Sequence, residues 1–174
     1  MLKTKLLMLF LSLLNEKPLP RQINYEGRRL LAQSESLRLT AYPDGSVWTI
    51  GWGTTRIGGK PVVEGMRITR SDADLLFHQD LLRFEREIEA LVTVQLTDNQ
   101  YAALVSLVYN IGGEKFKSST LLKLLNQGEY VKAADEFPRW VYSRGRRLEG
   151  LVKRRAAEKK LFLQEDKSDR VQEQ

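Results

Sequence analysis

Apolar and polar positions follow three different regimes along this chain. Residues 6–14 are a nearly continuous apolar run, Leu-Leu-Met-Leu-Phe-Leu-Ser-Leu-Leu, preceded by Lys3 and Lys5. Leu37–Tyr42 and Val47–Trp52 alternate or carry β-branched and aromatic side chains on either side of Pro43-Asp44-Gly45-Ser46. That pattern predicts strand, turn and strand, because side chains alternate faces in a strand and these four residue types favour a turn. From residue 69 the apolar spacing changes to three and four. Phe77, Leu81, Phe84, Ile88 and Leu91 make one face of a long helix, and Leu104, Leu107, Val108 and Ile111 lie in a second. Thr69 with Asp72, and Thr97 with Gln100, stand where a capping box would open each, and Gly112-Gly113 closes the second. Asn24 is a candidate cap for an earlier short helix running toward Glu35. Shorter helices are expected over 119–126 and over 129–137, the latter stopped by Pro138, and a last basic helix over 149–164. Residues 56–68, rich in Gly and Pro, read as loop with one more short strand.

The pattern divides the chain into residues 1–22, an apolar segment and linker; residues 23–164, one folded domain; and residues 165–174, a polar tail. The expected fold is α+β and mainly helical, with a small β-hairpin lobe inserted early. The leading run is well short of the roughly 20 residues that span a bilayer. No small-x-small cleavage site follows it, only Asn15-Glu16-Lys17-Pro18-Leu19-Pro20. An uncleaved export or tethering segment and a helix packed on the domain are both open readings of it.

Composition removes several chemistries. The chain of 174 residues has no cysteine and one histidine, His78, so cysteine nucleophiles, thiolate metal sites and multi-histidine metal sites are excluded. His78 lies inside the long helix and is assigned no function. Chemistry here must rest on carboxylates and hydroxyls. The net charge of +6 is concentrated: residues 139–160 hold nine Lys and Arg against Glu149 and Glu158, leaving the rest near neutrality. A patch of that sign suits an anionic polymer or surface, although a solvated helix face accounts for it as well.

The stretch from Glu35 to Thr54 carries the candidate chemistry: Glu-Ser-Leu-Arg-Leu-Thr-Ala-Tyr-Pro-Asp-Gly-Ser-Val-Trp-Thr-Ile-Gly-Trp-Gly-Thr. Glu35 falls at a helix end, Asp44 in the hairpin turn and Thr49 on the returning strand, so a hairpin folding back toward the helix brings all three to one cleft. A desolvated, protonated carboxyl beside an ionised one is what glycosidic cleavage uses. By themselves the same residues are equally an exposed helix-end acid and an ordinary turn aspartate, and Thr54 competes with Thr49 for the hydroxyl role.

This stretch resembles the phage-type lysozymes, the endolysin muramidases related to those of T-even and lambdoid phages. The likeness continues in Ile-Thr-Arg-Ser-Asp-Ala at 68–73, Leu-Val-Tyr-Asn-Ile-Gly-Gly at 107–113, Ala-Ala-Asp-Glu-Phe-Pro-Arg-Trp-Val-Tyr at 133–142 and Gly-Leu-Val-Lys-Arg-Arg-Ala-Ala-Glu at 150–158. The resemblance implies a lysozyme-like fold, a small β lobe and a larger helical lobe with a cleft between. It implies hydrolysis of the β-1,4 bond between N-acetylmuramic acid and N-acetylglucosamine in peptidoglycan, with host lysis as the biological role. Glu35 would be the general acid, Asp44 the base or electrostatic stabiliser, and Thr49 the hydroxyl that positions water. Asn110 and Tyr109 would line the sugar groove. Arg154, with Arg139 and its neighbours Lys153 and Arg155, would meet peptide stems or acidic wall polymer, while Trp140 reads as a core aromatic. No metal or organic cofactor is expected, nor a nucleic-acid partner, and a monomer is. An anionic membrane is a second candidate partner, through the basic C-terminal helix. The protein would be made in the host cytoplasm and act in the periplasm, with residues 1–14 available for inner-membrane association. The alternatives are a lytic transglycosylase cutting the same bond, or a basic membrane- or nucleic-acid-binding module.

Overall fold

A computed structural model describes residues 21–165; the apolar run at 6–14 and most of the polar tail lie outside the described residues. The first helix, α1 (Tyr25–Ser34), opens on Asn24, whose side chain accepts from the Gly27 N–H at 2.9 Å. Glu35 follows as its C-cap, its N–H still bonded to the Leu31 carbonyl at 3.0 Å. The chain then enters an antiparallel hairpin, β1 (Arg38–Asp44) and β2 (Val47–Gly51), with Tyr42 opposite Thr49 and Asp44 opposite Val47. The first strand runs two residues further than its alternation predicts. Pro43 is tolerated there because it lies at the end of a two-stranded ribbon, and the turn shrinks to Gly45-Ser46, Gly45 taking a φ of 69°. Backbone bonds from Ala41 to Met66 and from Ile68 to Leu39 lay the 66–68 segment along β1. A second small hairpin, β3 (Arg56–Ile57) and β4 (Lys60–Pro61), turns at Gly58-Gly59 and completes the lobe.

Helix α2 (Arg70–Leu91) leads from this lobe into the helical body. Both expected capping boxes are formed, Thr69 with Asp72 here and Thr97 with Gln100 at the start of α3 (Asp98–Ile111). Helix α3 is the centre of the molecule: every residue from Tyr101 to Val108 is buried. Against it pack α1, α2, α4 (Gly113–Lys117) and α7 (Glu149–Phe162), while α5 (Thr120–Asn126) and α6 (Tyr130–Asp135) pack on each other, α5 also on α4 and α6 on α7. The core is built from Leu31, Ile88, Leu104, Leu107, Phe116, Leu125, Phe137 and Phe162, all fully buried or nearly so. Trp140 is half-buried against it, and His78 is exposed.

Three local features depart from the sequence expectation. Gly112-Gly113 does not only close α3; Gly113 begins the five-residue α4. The helix expected to end at Pro138 stops at Asp135, and Phe137–Arg139 continue as one 3-10 turn with the proline near its start, where no N–H is needed. Residues 142–147, to which the sequence pattern assigned no element, form a hairpin, β5 (Tyr142–Ser143) and β6 (Arg146–Arg147). Its turn works because Arg144 and Gly145 both take positive φ, 50° and 73°.

Candidate active site

The two lobes meet over a cleft of about 630 Å³ whose walls include Glu35, Asp44, Thr49, Tyr109 and Asn110. The hairpin supplies Asp44 and Thr49 from one bank. The end of α1 supplies Glu35, and the end of α3 supplies Tyr109 and Asn110. Five of the candidates named from sequence thus reach the cleft from three elements, and so does the competitor's near neighbour Thr55.

The two hydroxyl candidates separate cleanly. Thr54 donates to Asp80 on α2 at 2.7 Å, so its hydroxyl is committed to bracing the β lobe. Thr49 is 2% exposed, and its Oγ1 finds no protein partner. A buried hydroxyl without a partner is costly, and Thr49 is one of the residues that line the cleft with Glu35 and Asp44.

The carboxylates stand in contrasting surroundings. Asp44 is exposed at the hairpin tip. Glu35 is mostly buried, and burial pushes its carboxyl above the ordinary glutamate range, with Asp44 adding in the same direction. Arg154 opposes this through its charge and through a 2.6 Å hydrogen bond from Nη1 to Oε1 of Glu35, and Arg155 pulls the same way. On the other side Gly53 borders the acid: a Cβ there would make an ordinary contact, 3.6 Å, with Oε2 of Glu35.

Arg154 is therefore not where the sequence reading placed it. Expected among the groups that meet the wall polymer, it is buried under the cleft floor, bonded to Glu35, to Glu158 at 3.1 Å and to the Ser106 carbonyl at 2.9 Å. The reason is helical geometry: residues 154, 155 and 158 share the inward face of α7, so that face is ionic along its middle and apolar only at Leu161 and Phe162. Of its cationic neighbours in sequence, Arg155 is fully buried and only Lys153 is exposed.

Tyr109 lines the cleft but its hydroxyl is used structurally, donating to the Trp52 carbonyl at 2.9 Å. It belongs to a ring ladder, Trp52–Phe77–Tyr109–Phe84, with centroids 5.4 to 6.2 Å apart. Trp52 is further tied to Asp74 through its indole N–H at 2.8 Å. This ladder, which no short motif announced, joins Trp52 of the β lobe to Phe77 and Phe84 on α2 and to Tyr109 on α3. Asn110 is exposed with its side chain free to meet a ligand. Among the described residues, no group of three or more histidine or carboxylate side chains is gathered as for a metal ion.

A small β lobe and a helical body, with a buried acid on one bank of a cleft and an exposed acid on the other, define a protein of the lysozyme class. The comparisons agree at a finer level. The phage lysozyme family model matches residues 32–158, and the chain belongs to that family. It is 42% identical over 144 residues to the endolysin of Salmonella phage P22, covering 82% of this chain and 98% of that protein. It is 40% identical over 144 residues to the endolysin of Bacillus phage PZA, covering 81% of this chain, but spans only 55% of that longer protein. A SAR-endolysin of Enterobacteria phage P21 is 36% identical over 117 residues, 67% of this chain and 69% of that protein. Among solved structures, a P22 lysozyme mutant superposes with a TM-score of 0.67 at 40% identity, covering 83% of this chain and 99% of its own. The muramidase domain of SpmX from Asticaccaulis excentricus gives 0.71 at 39% identity, covering 83% and 100%.

Proposed function

We propose that this chain is an endolysin that hydrolyses the β-1,4 bond between N-acetylmuramic acid and N-acetylglucosamine in peptidoglycan. The observation that carries the reading is the pairing of a desolvated Glu35 with an exposed Asp44 across one cleft, beside the unpartnered hydroxyl of Thr49. Burial favours the protonated form of Glu35, which suits it to give its proton to the leaving glycosidic oxygen. Asp44, exposed on the hairpin, is placed to activate the attacking water or stabilise the positive charge that develops on the sugar. Thr49 Oγ1 accepts from and orients that water. Asn110 contacts the sugar through its amide. The reading requires no cofactor, and the protein acts as a monomer.

Digestion of purified peptidoglycan with mass analysis of the fragments tests this. Hydrolysis yields reducing muramic ends; 1,6-anhydro ends would move the protein to the lytic transglycosylases, and intact sacculi would remove the enzymatic claim. Glu35→Gln is expected to lose about 10²- to 10⁴-fold in rate with the fold retained, and Asp44→Asn to fall as well. A basic binding module would be indifferent to Glu35→Gln. The presence of Asp44 and Thr49 in the same cleft as Glu35 supports hydrolysis over transglycosylation, which needs the acid alone.

The site of action proposed is the periplasm of the bacterium in which the protein is made, with residues 1–14 serving as an uncleaved export segment held at the inner membrane. Support comes from the apolar run behind two lysines and from the several relatives that are named SAR-endolysins. Among the described residues no helix is long and apolar enough to cross a membrane. Fractionation of expressing cells, with the intact mass measured, decides it: full-length protein in the membrane fraction is expected, and a chain shortened near residue 20 would refute an uncleaved segment.

A further inference from the structure

Placing an arginine 2.6 Å from the residue that must hold a proton is physically awkward, because the cation favours the ionised form. The surroundings of Arg154 show how the conflict is reduced. Its three bonding directions are each taken: Nη1 to Glu35, Nε to Glu158 at 3.1 Å and Nη2 to the Ser106 carbonyl at 2.9 Å. Glu158 has no exposed surface, and it also accepts from Ser106 Oγ at 2.7 Å and from Arg155 Nη2 at 3.0 Å, with Arg155 Nε 2.7 Å from its second oxygen. Two guanidiniums thus share one fully buried carboxylate, directly beneath Glu35.

We infer that Glu158 is a positioning residue for catalysis: it fixes the guanidinium of Arg154 under Glu35 and offsets the positive charge that Glu35 faces. The inference rests on the reading of Glu35 as the general acid. The charge count makes it specific. With Glu158 ionised, Arg154 and Arg155 present a net +1 to Glu35; without that charge they present +2, and with Arg155 removed the remaining pair presents zero. Coulomb energies rise steeply where water is excluded, so each change is felt at Glu35. Burial lowers Arg155 to about 10, which leaves it cationic at neutral pH. Burial raises the Glu158 carboxyl above the ordinary glutamate range, against the pull of Arg155, Arg154 and Ser106. The other ionisable groups that face Glu35 are Asp44 on the hairpin and the phenols of Tyr42 on β1 and Tyr109 on α3. None of the three is changed by altering Glu158 or Arg155.

The decisive experiment is the pH profile of kcat/KM for release of reducing ends from purified peptidoglycan, compared for wild type, Glu158→Gln and Arg155→Gln. The alkaline limb, where the general acid loses its proton, is expected to move to lower pH in Glu158→Gln and to higher pH in Arg155→Gln. Opposite displacements are the signature, because structural damage lowers the rate by one factor at every pH. Limbs that stay in place, or that move in the same direction, overturn the inference. Glu158→Asp, which restores the charge, is expected to bring the limb back toward wild type. Should the variants not fold, carboxyl NMR of the wild-type chain with labelled glutamate, Glu35 being assigned by the signal lost in Glu35→Gln, still decides it. Glu158 is expected to remain ionised through the range in which Glu35 titrates; protonation of Glu158 before Glu35 would overturn the inference. That titration needs no substrate, so it stands apart from any failure of the wild type to cut peptidoglycan.

Discussion

At the scale of single residues, two threonines five positions apart do opposite things. Thr54 completes a hydrogen bond to Asp80, and Thr49 leaves its hydroxyl without a protein partner in the cleft. Replacing each by valine separates stability from function. Thr54→Val is expected to cost about 1–3 kcal/mol, because Asp80 loses a donor in a partly buried place, with little direct effect on the bond-cutting step. Thr49→Val removes a hydroxyl that nothing satisfies, so the thermal midpoint should hold or rise while the rate of wall digestion falls by about 10²-fold. Paired melting curves and rates check this; a destabilised Thr49→Val of normal activity would show the hydroxyl to be structural. From the sequence the two were rivals for one role, since both are hydroxyls near the same turn. Which one is committed elsewhere depended on Asp80, far along the chain on α2.

At the scale of elements, the joint between α1 and α3 determines where Glu35 stands. Gly27 lies where the helices touch: a Cβ there would come within 2.6 Å of the Ala102 Cβ. Glycine to alanine inside a helix normally gains about 0.8–1 kcal/mol, but forcing an extra carbon into a packed joint costs about 1–3 kcal/mol, and the clash wins. Gly27→Ala is therefore expected to lower stability by about 1 kcal/mol in urea unfolding, and to reduce activity through the displaced helix end. An unchanged or raised midpoint would mean that the joint has room. The capped helices were legible because each carries its own stop and start signals: Asn24, the pairs Thr69/Asp72 and Thr97/Gln100, and apolar spacing of three and four. The β5–β6 hairpin and α4 were not, since two-residue strands and a five-residue helix leave no periodicity to read. The hairpin also turns on Arg144 at a φ that side chains other than glycine rarely adopt.

At the scale of the whole molecule, the buried carboxylates shape how the fold answers pH. Glu85 is 3% exposed and takes the Ile23 N–H at 2.9 Å. Burial raises its carboxyl above the usual 4.5, against the pull of the Ile23 N–H, Arg28 and His78. The folded state then holds its proton to higher pH than the unfolded chain does. The stability this lends is complete below about 4.5 and is lost as pH rises through the raised value. Glu85→Gln, which can still accept from Ile23, should be more stable than wild type at neutral pH and show a flatter decline from mildly acidic to neutral conditions. Thermal midpoints across that range measure it; parallel curves for the two proteins would exclude Glu85 as a source of the slope. Glu35 and Glu158, raised by burial in the same way, place a similar demand on the molecule at its working site.

What the sequence by itself determined is the set of features carried by neighbours along the chain: the helix caps, the hairpin around Gly45, the early β lobe in a helical chain, the cation-rich segment, and the motif order that marks the family. Only the tertiary structure decided which charges of that segment face inward. Helix α7 turns Arg154, Arg155 and Glu158 toward Glu35, more than a hundred residues away, and leaves Lys153 in water. A sequence reports charge and spacing, whereas burial and ion pairing arise from surfaces that meet only when the chain folds. An arginine read as a hand for the wall polymer is for that reason found beneath the acid.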